Sequence, residues 1–539
     1  MKRALGLLFV VILPLGLVGP GAEAETPRAG STGRHLSVAT GGGDGTVGVA
    51  AARAMRQGYL VPDQAAYDRA KAAAAENLGL RPSQASPSVA APVSTVTFKG
   101  LANPGLTPSD STGAIGTTRY IEAVNSKVGI YDRTGALIAS ASLDTFWAQA
   151  GNDNFDPQVM WDARTNRFYY AGDSVASSVD NRLAFGFSKS ASPNNASTDW
   201  CHYQVGYGSD FPDYPKLGDS RDFALIGVNV FTGNPFTGSD IVAIGKPVGT
   251  ATIGTCPSPS TFAFDIGTDV TLANGTTAAF TPVPATEVDS NGTGFVVARP
   301  ISVPATKLTI FTVKRNLDGT PNITTTGKDL TVPSYTLPPA APQSGTGRTI
   351  DTLDARLTQA VAAIDPAQAG VFTLWTQHTV NGGAGAQVRW YEIKPNLPTL
   401  LQSGTVTSAS LFSFNGAISP DRVVNGTTKA FGSNMVLGFN TSSSTTFPAI
   451  KMVSKLAGAA QSAPVKVKGS PGFDVDFACP AATDVCRWGD YSAATPDPAA
   501  STAAATGVVW LSNMWNKDGS TVDPATGTAW QTWNWAAHP

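Results

Sequence analysis

From about residue 94 to the C-terminus, short apolar runs alternate with clusters of Gly, Asn, Asp and Pro, and the runs keep a period of two. In 182–188, Leu183, Phe185 and Phe187 alternate with Ala184, Gly186 and Ser188, the pattern of a strand with two unequal faces. Residues 120–125 and 127–131 read as a strand pair, followed by a turn at 132–135. Residues 371–379 and 387–394 read as another, joined by the turn signal Asn381-Gly382-Gly383. Units of two to four short strands bury too little apolar area to stand alone, so these must stack on one another.

A recurring opening orders the runs: a polar, Gly/Pro-containing cluster with an Asp, a few apolar residues, then a turn. The clearest copies are Asp156-Pro157-Gln158-Val159-Met160-Trp161-Asp162, Asp213-Tyr214-Pro215-Lys216-Leu217-Gly218-Asp219 and Arg487-Trp488-Gly489-Asp490-Tyr491-Ser492. Weaker copies lie at 111–118, 283–289, 353–358 and 415–421. Seven openings spaced roughly 40 to 70 residues apart are the signature of a repeat architecture. The expectation is an all-β, seven-bladed β-propeller over 94–539, with six or eight blades as neighbouring solutions. Immunoglobulin-like modules of roughly 100 residues fit less well, because the openings continue without a linker.

The first 93 residues differ. Lys2 and Arg3, an apolar stretch over 5–18 and Ala22-Glu23-Ala24 have the three parts of a secretory signal, which predicts cleavage after Ala24. Residues 25–93 read as an extension outside the main domain. Its stretch 41–45 is a Gly-rich linker, and Pro62 precedes an Ala-rich helix over 63–78. A pro-segment, a spacer and a helix that packs on the propeller all fit this extension. No later segment is long and apolar enough to span a bilayer, so the mature chain is expected to have no membrane span.

Composition narrows the partners. Charged residues make up 14% of the chain and the net charge is -2, against about 25% charged in an average soluble protein. A nucleic-acid surface needs a Lys/Arg excess, and none is visible. Four cysteines in an exported chain point to disulfides, expected as Cys201 with Cys256 and Cys479 with Cys486. Nucleophile elbows, zinc-protease helices, phosphate loops and dinucleotide fingerprints are missing from the sequence.

The blade openings also carry a resemblance. Residues 211–218 with Asn229 and Phe231, 156–170 with Trp161-Asp162 and Arg167-Phe168, 188–203, and 487–492 with Asp497-Pro498 and Val509-Trp510 resemble secreted, sialidase-like β-propeller proteins of the Asp-box superfamily. The resemblance implies the architecture but no sialidase site. Such a site would need three arginines on the substrate carboxylate, a Tyr nucleophile with a Glu partner, and an Asp acid/base. No three arginines align with that pattern, and the Asp-box turn is not present in clean form.

Two sets of residues remain as candidates. In a propeller, residues at blade openings converge on the central channel, so Asp156, Asp213 and Asp490 are candidates to bind a ligand or a hard cation such as Ca²⁺, or to do acid/base work. Asp residues at turns also simply cap backbone N–H groups. Trp530, Trp533 and Trp535 are candidates for an aromatic platform, or for the strand that closes the ring. The expected function is an extracellular binding module for glycan or protein. The alternative is a secreted carbohydrate-active enzyme, a glycosidase or lyase, with its site at the channel mouth.

Overall fold

The computed structural model describes residues 34–41, 60–76, 91–102, 107–476, 478–518 and 530–539. The expected signal segment lies outside the described residues, as does most of the Gly-rich linker. Among those described, no helix is long and apolar enough to cross a membrane.

The protein is a β-propeller. Among the described residues, seven largely antiparallel sheets of four or five strands follow one another along the chain. Their innermost strands are β1 (Thr112–Ile115), β2 (Asp153–Asp162), β3 (Asp210–Asp219), β4 (Ala279–Pro284), β5 (Leu357–Asp365), β6 (Phe412–Pro420) and β7 (Ala493–Pro496). Each touches the next, and β7 touches β1, so the inner strands form a closed cycle. The recurring openings of the sequence fall on these strands or directly before them. Two smaller sheets, including the hairpin Val423–Asn425 with Thr428–Ala430, lie outside the repeat.

Stacking explains why the strands are apolar on both faces. In the second sheet, Leu183, Phe185 and Phe187 share a core with Leu217, Ile226 and Val228 of the third. Ala184, pointing the other way, packs with Ala123, Trp147 and Trp161 toward the first. The alternation is therefore large against small, not buried against exposed.

Four of the inner strands, β2, β3, β4 and β6, also contain a bulge. The register shifts between Phe155 and Gln158, Asp213 and Lys216, Phe280 and Val283, and Phe414 and Ala417. At these places Asp156, Tyr214, Thr281 and Asn415 have φ of 53°, 59°, 56° and 48°. A non-glycine residue in the left-handed region is unfavourable unless its surroundings hold it. Here the following Pro or Gly and the neighbouring sheets do so, and the bulge turns side chains toward the axis.

An Asp near the far end of several openings ties one blade to the next. Asp219 Oδ1 accepts the N–H of Glu287 at 2.7 Å, Asp289 Oδ2 that of Ile364 at 2.9 Å, and Asp421 Oδ2 that of Gly507 at 3.0 Å. Asp497 pairs with Arg133 of the first sheet. These contacts satisfy backbone donors that would otherwise be buried without partners.

The ring closes through the N-terminal side of the domain. Strand Val93–Lys99 pairs with the C-terminal strand Trp530–His538, which pairs in turn with Val509–Asn516. The segment before it, expected to lie outside the main domain, packs against it. Strand Leu36–Val38 extends the second sheet through Trp200–Gly208, and the half-buried Arg34 pairs with Asp210 and Asp240. Helix α1 (Gln64–Glu76) starts at Asp63, whose side chain accepts the N–H of Ala66. Its Tyr67 and Ala70 rest on a propeller core, and Lys71 donates to the Leu353 carbonyl at 2.6 Å. Both expected disulfides are formed, Cys201–Cys256 and Cys479–Cys486.

Candidate functional site

Two groups of charged side chains lie at opposite ends of the inner strands. At the starting end, the structure brings Asp156, Asp213 and Asp490 into one buried network with Asp110, which the sequence reading missed. Asp110 Oδ1 accepts the N–H of Asp490 at 2.7 Å, and Asp110 Oδ2 accepts from Asn125 Nδ2. Asn125 Oδ1 accepts the N–H of Asp156 at 2.9 Å, Tyr491 donates to Asp156 Oδ2 at 2.6 Å, and Arg487 donates to Asp490 Oδ2 at 2.6 Å. Tyr214 donates to the Asp490 carbonyl at 2.9 Å.

Lys216 occupies the middle of this network. Its Nζ lies 4.0 Å from the Tyr214 ring centroid and 3.2 Å from that of Tyr491, with no hydrogen-bond partner. Burial holds its pKa well below the usual lysine range, against the pull of Asp156 and Asp490. Burial likewise pushes Asp213 up to about 8; Arg356 opposes this, while Asp156 and Asp490 add to it.

This end is covered. Leu60, ahead of α1, packs on Phe155, Val175 and Phe211, and its carbonyl accepts from Arg356 at 3.1 Å. The candidate acids are 9% exposed or less. Asp156 and Asp490 accept from Tyr491 and Arg487, while Asp213 Oδ2 is buried without a hydrogen-bond partner. Among the described residues no group of three His, Cys, Asp or Glu side chains is placed to hold a metal ion.

The finishing end is open. Asp162 and Asp219, the last residues of β2 and β3, both hold the buried Lys246, at 2.9 and 2.6 Å. With Glu287 they line a cavity of about 210 Å³, whose wall also carries the exposed Arg164 and Lys429. A smaller adjoining space is lined by Ile115, Trp161, Thr495 and Pro496, so the mouth spans the ends of β1, β2, β3 and β7.

The acids of this mouth differ in charge state for identifiable reasons. Asp162 is buried, which alone would raise it, but Lys246, the Thr165 hydroxyl and the N–H of Arg164 together bring it below the usual range. Asp219 has the same lysine but fewer donors and the Asp162 charge beside it, so burial leaves it up at about 6. Burial and then the Asp219 charge raise Glu287 well above the carboxylate range. One oxygen of Glu287 accepts the N–H of Asn291; the other, Oε1, is buried with no partner. Trp161 Nε1 is also buried and unpartnered.

The aromatic candidates do not form a platform. Trp530 and Trp535 are core residues at 1% and 0% exposure, because the strand that carries them is sandwiched in closing the ring. Trp533 is half-buried, set edge-on to Trp515 with Lys468 over both rings. The sequence did hold a signal for the open mouth: Asp162 and Asp219 end the two clearest openings. Lys246 had none, since it comes from outside a repeat opening, and Glu287 lies in the weaker opening 283–289, where nothing in the repeat marked it as a site residue.

No family model and no curated protein matches the chain. Among solved structures it is similar to an ACO/RPE65 chimera, at 11% identity and TM-score 0.34 over 67% of this chain and 71% of that one. It is also similar to an exo-β-1,3-galactanase from Phanerochaete chrysosporium with galactose, at 11% identity and TM-score 0.28 over 82% of this chain and 100% of that one. A third is apo AztD from Citrobacter koseri, at 10% identity and TM-score 0.28 over 68% and 74%. At these identities and scores no substrate or site residue passes to this chain. The sialidase-like resemblance of the openings extends to a propeller-like architecture and no further.

Proposed function

We propose that this protein is an exported binding module that takes a small, hydroxyl-rich ligand of the saccharide class in the mouth formed by Asp219, Glu287 and Trp161. The observation that carries the reading is Glu287 Oε1, a buried polar atom without a partner on the wall of an open cavity. Buried polar groups are normally hydrogen-bonded, and a ligand hydroxyl both donates and accepts. Trp161 adds an indole N–H and an apolar face in the adjoining space, the mixture of apolar wall and few polar groups that small-molecule sites have. The two disulfides fit an oxidising compartment.

The enzyme reading has one observation in its favour. Glu287 and Asp162 line the same cavity with shifts in opposite directions, Glu287 raised by burial and Asp162 lowered by Lys246 and its donors in spite of burial, and pairs of carboxyl groups with separated pKa values are what acid/base catalysis uses. A glycan array run beside a reducing-sugar release assay on mixed polysaccharides decides between the two. Binding without release supports the module; release lost on Glu287→Gln supports the enzyme. No binding and no release on any saccharide would refute both.

A further inference from the structure

The mouth sorts its charges by depth. Asp162, Asp219 and Glu287 form its floor at 3%, 1% and 3% exposure, and Lys246 offsets the two aspartates. The charged groups that the same cavity leaves exposed are both cations, Arg164 and Lys429. Neither has a carboxylate partner among the described residues. One nitrogen of Arg164 donates to the Arg221 carbonyl at 2.5 Å, which steadies the guanidinium at the rim and leaves its other N–H groups without a protein acceptor. Lys429 arrives on the hairpin Val423–Asn425 with Thr428–Ala430, which lies outside the repeat. Both ends of that hairpin are pinned: Arg422 grips Asp289 with two hydrogen bonds of 2.9 and 2.8 Å, and Asp421 Oδ1 accepts the N–H of Gly432 at 2.8 Å. Its tip, 425–429, is exposed, turns at Gly426 with φ 59°, and carries a single charge, that of Lys429.

We propose that the mouth selects anionic saccharides, with Arg164 and Lys429 holding a carboxylate or sulfate at the rim while a ring hydroxyl meets Glu287 on the floor. This rests on the reading of the mouth as a saccharide site and names the class of saccharide it takes. A guanidinium presents parallel N–H groups to two oxygens of one anionic group, and a lysine adds a point charge beside it. The floor does not oppose the anion with its full complement of carboxylates: Lys246 lies 2.9 and 2.6 Å from the two aspartates, and burial favours the protonated form of Glu287. At about 210 Å³ the cavity is smaller than the roughly 300–1,000 Å³ of sites for drug-sized ligands, so it takes one ring at the end of a chain and leaves the rest outside. The hairpin is then a specificity element, since it contributes Val424 to the wall and Lys429 to the rim.

The test reads the full chain on a glycan array in matched pairs: oligomers of glucuronate or galacturonate against the same oligomers of glucose or galactose, and 6-sulfated against unsulfated forms. The acidic member of a pair is expected to bind more tightly, and the stronger of carboxylate and sulfate names the group the rim holds. That preference should shrink toward about 1 M NaCl, where the screening length falls to about 3 Å. Arg164→Gln is expected to lower the ratio of acidic to neutral affinity about three- to fivefold, and Lys429→Glu, which reverses a rim charge, about tenfold. Lys429 stands on an exposed hairpin, so its variant serves if the other does not fold. Equal or tighter binding of the neutral members overturns this inference and leaves the saccharide reading of the mouth standing, whereas no binding to any glycan removes both. An acidic preference unchanged in both variants also overturns it.

Discussion

The Tyr491 hydroxyl donates to Asp156 Oδ2 at 2.6 Å across 335 residues of sequence, joining the start of the last blade to the second. Both groups are buried, so the bond is sheltered from water, and losing its donor leaves a carboxylate oxygen unmatched. Tyr491→Phe is expected to cost about 1–3 kcal/mol of stability. Urea unfolding measures it, and an unchanged midpoint would show that the network does not hold the blades together.

Lys246 neutralises two buried aspartates at once. Removing one partner of a buried ion pair leaves uncompensated charge, so Lys246→Met is expected to cost about 3–5 kcal/mol. The triple variant Asp162→Asn, Asp219→Asn, Lys246→Met removes both signs together and is expected to recover much of that loss. If the triple variant is no more stable than Lys246→Met, charge is not the reason the lysine is there.

Asp213 gives a pH dependence with a definite sign. Its folded pKa of about 8 lies above the ordinary aspartate value of 3.8, so between those values the folded state binds more protons than the unfolded chain. Its contribution to stability is therefore full below about pH 4 and lost as pH rises toward 8, with a slope of at most about 1.4 kcal/mol per pH unit. Melting curves of wild type and Asp213→Asn from pH 5 to 8 isolate this contribution: the decline should be shallower in the variant. Parallel profiles would place the proton elsewhere.

Cys201–Cys256 closes a loop of sequence separation 55 between the second and third sheets. Replacing both cysteines with Ala is expected to cost about 2–4 kcal/mol. Guanidinium unfolding of the double variant checks it, and a loss no larger than that of an ordinary surface substitution would contradict the expectation.

The architecture was legible because a propeller repeats its inner strand. Asp156-Pro157, Tyr214-Pro215 and Asn415-Gly416 each pair a left-handed residue with a Pro or Gly, and that local chemistry shows in the sequence. The convergence of Asp156, Asp213 and Asp490 followed from the same repeat. Their environment did not: Leu60, Arg356 and Lys216 reach the axis from an extension, a drifted copy and the middle of a bulge. The open mouth was hidden for a related reason. Asp162 and Asp219 read as strand-ending turns, and only the arrival of Lys246 and Glu287 from other segments makes them a site. Of the two readings of Trp530 and Trp535, the ring-closing strand is the one formed, and closing the ring buries that strand between two others.

Calorimetric titration of the best saccharide from the glycan array tests whether Glu287 presents a ligand-facing group in the mouth. Burial favours the protonated form of Glu287, so Glu287→Gln, which keeps a donor and an acceptor in place, should bind within a few-fold of wild type. Glu287→Ala removes both and should weaken binding about tenfold or more, the worth of one lost buried hydrogen bond. Wild-type affinity in Glu287→Ala, or no measurable heat with any saccharide, would contradict the account.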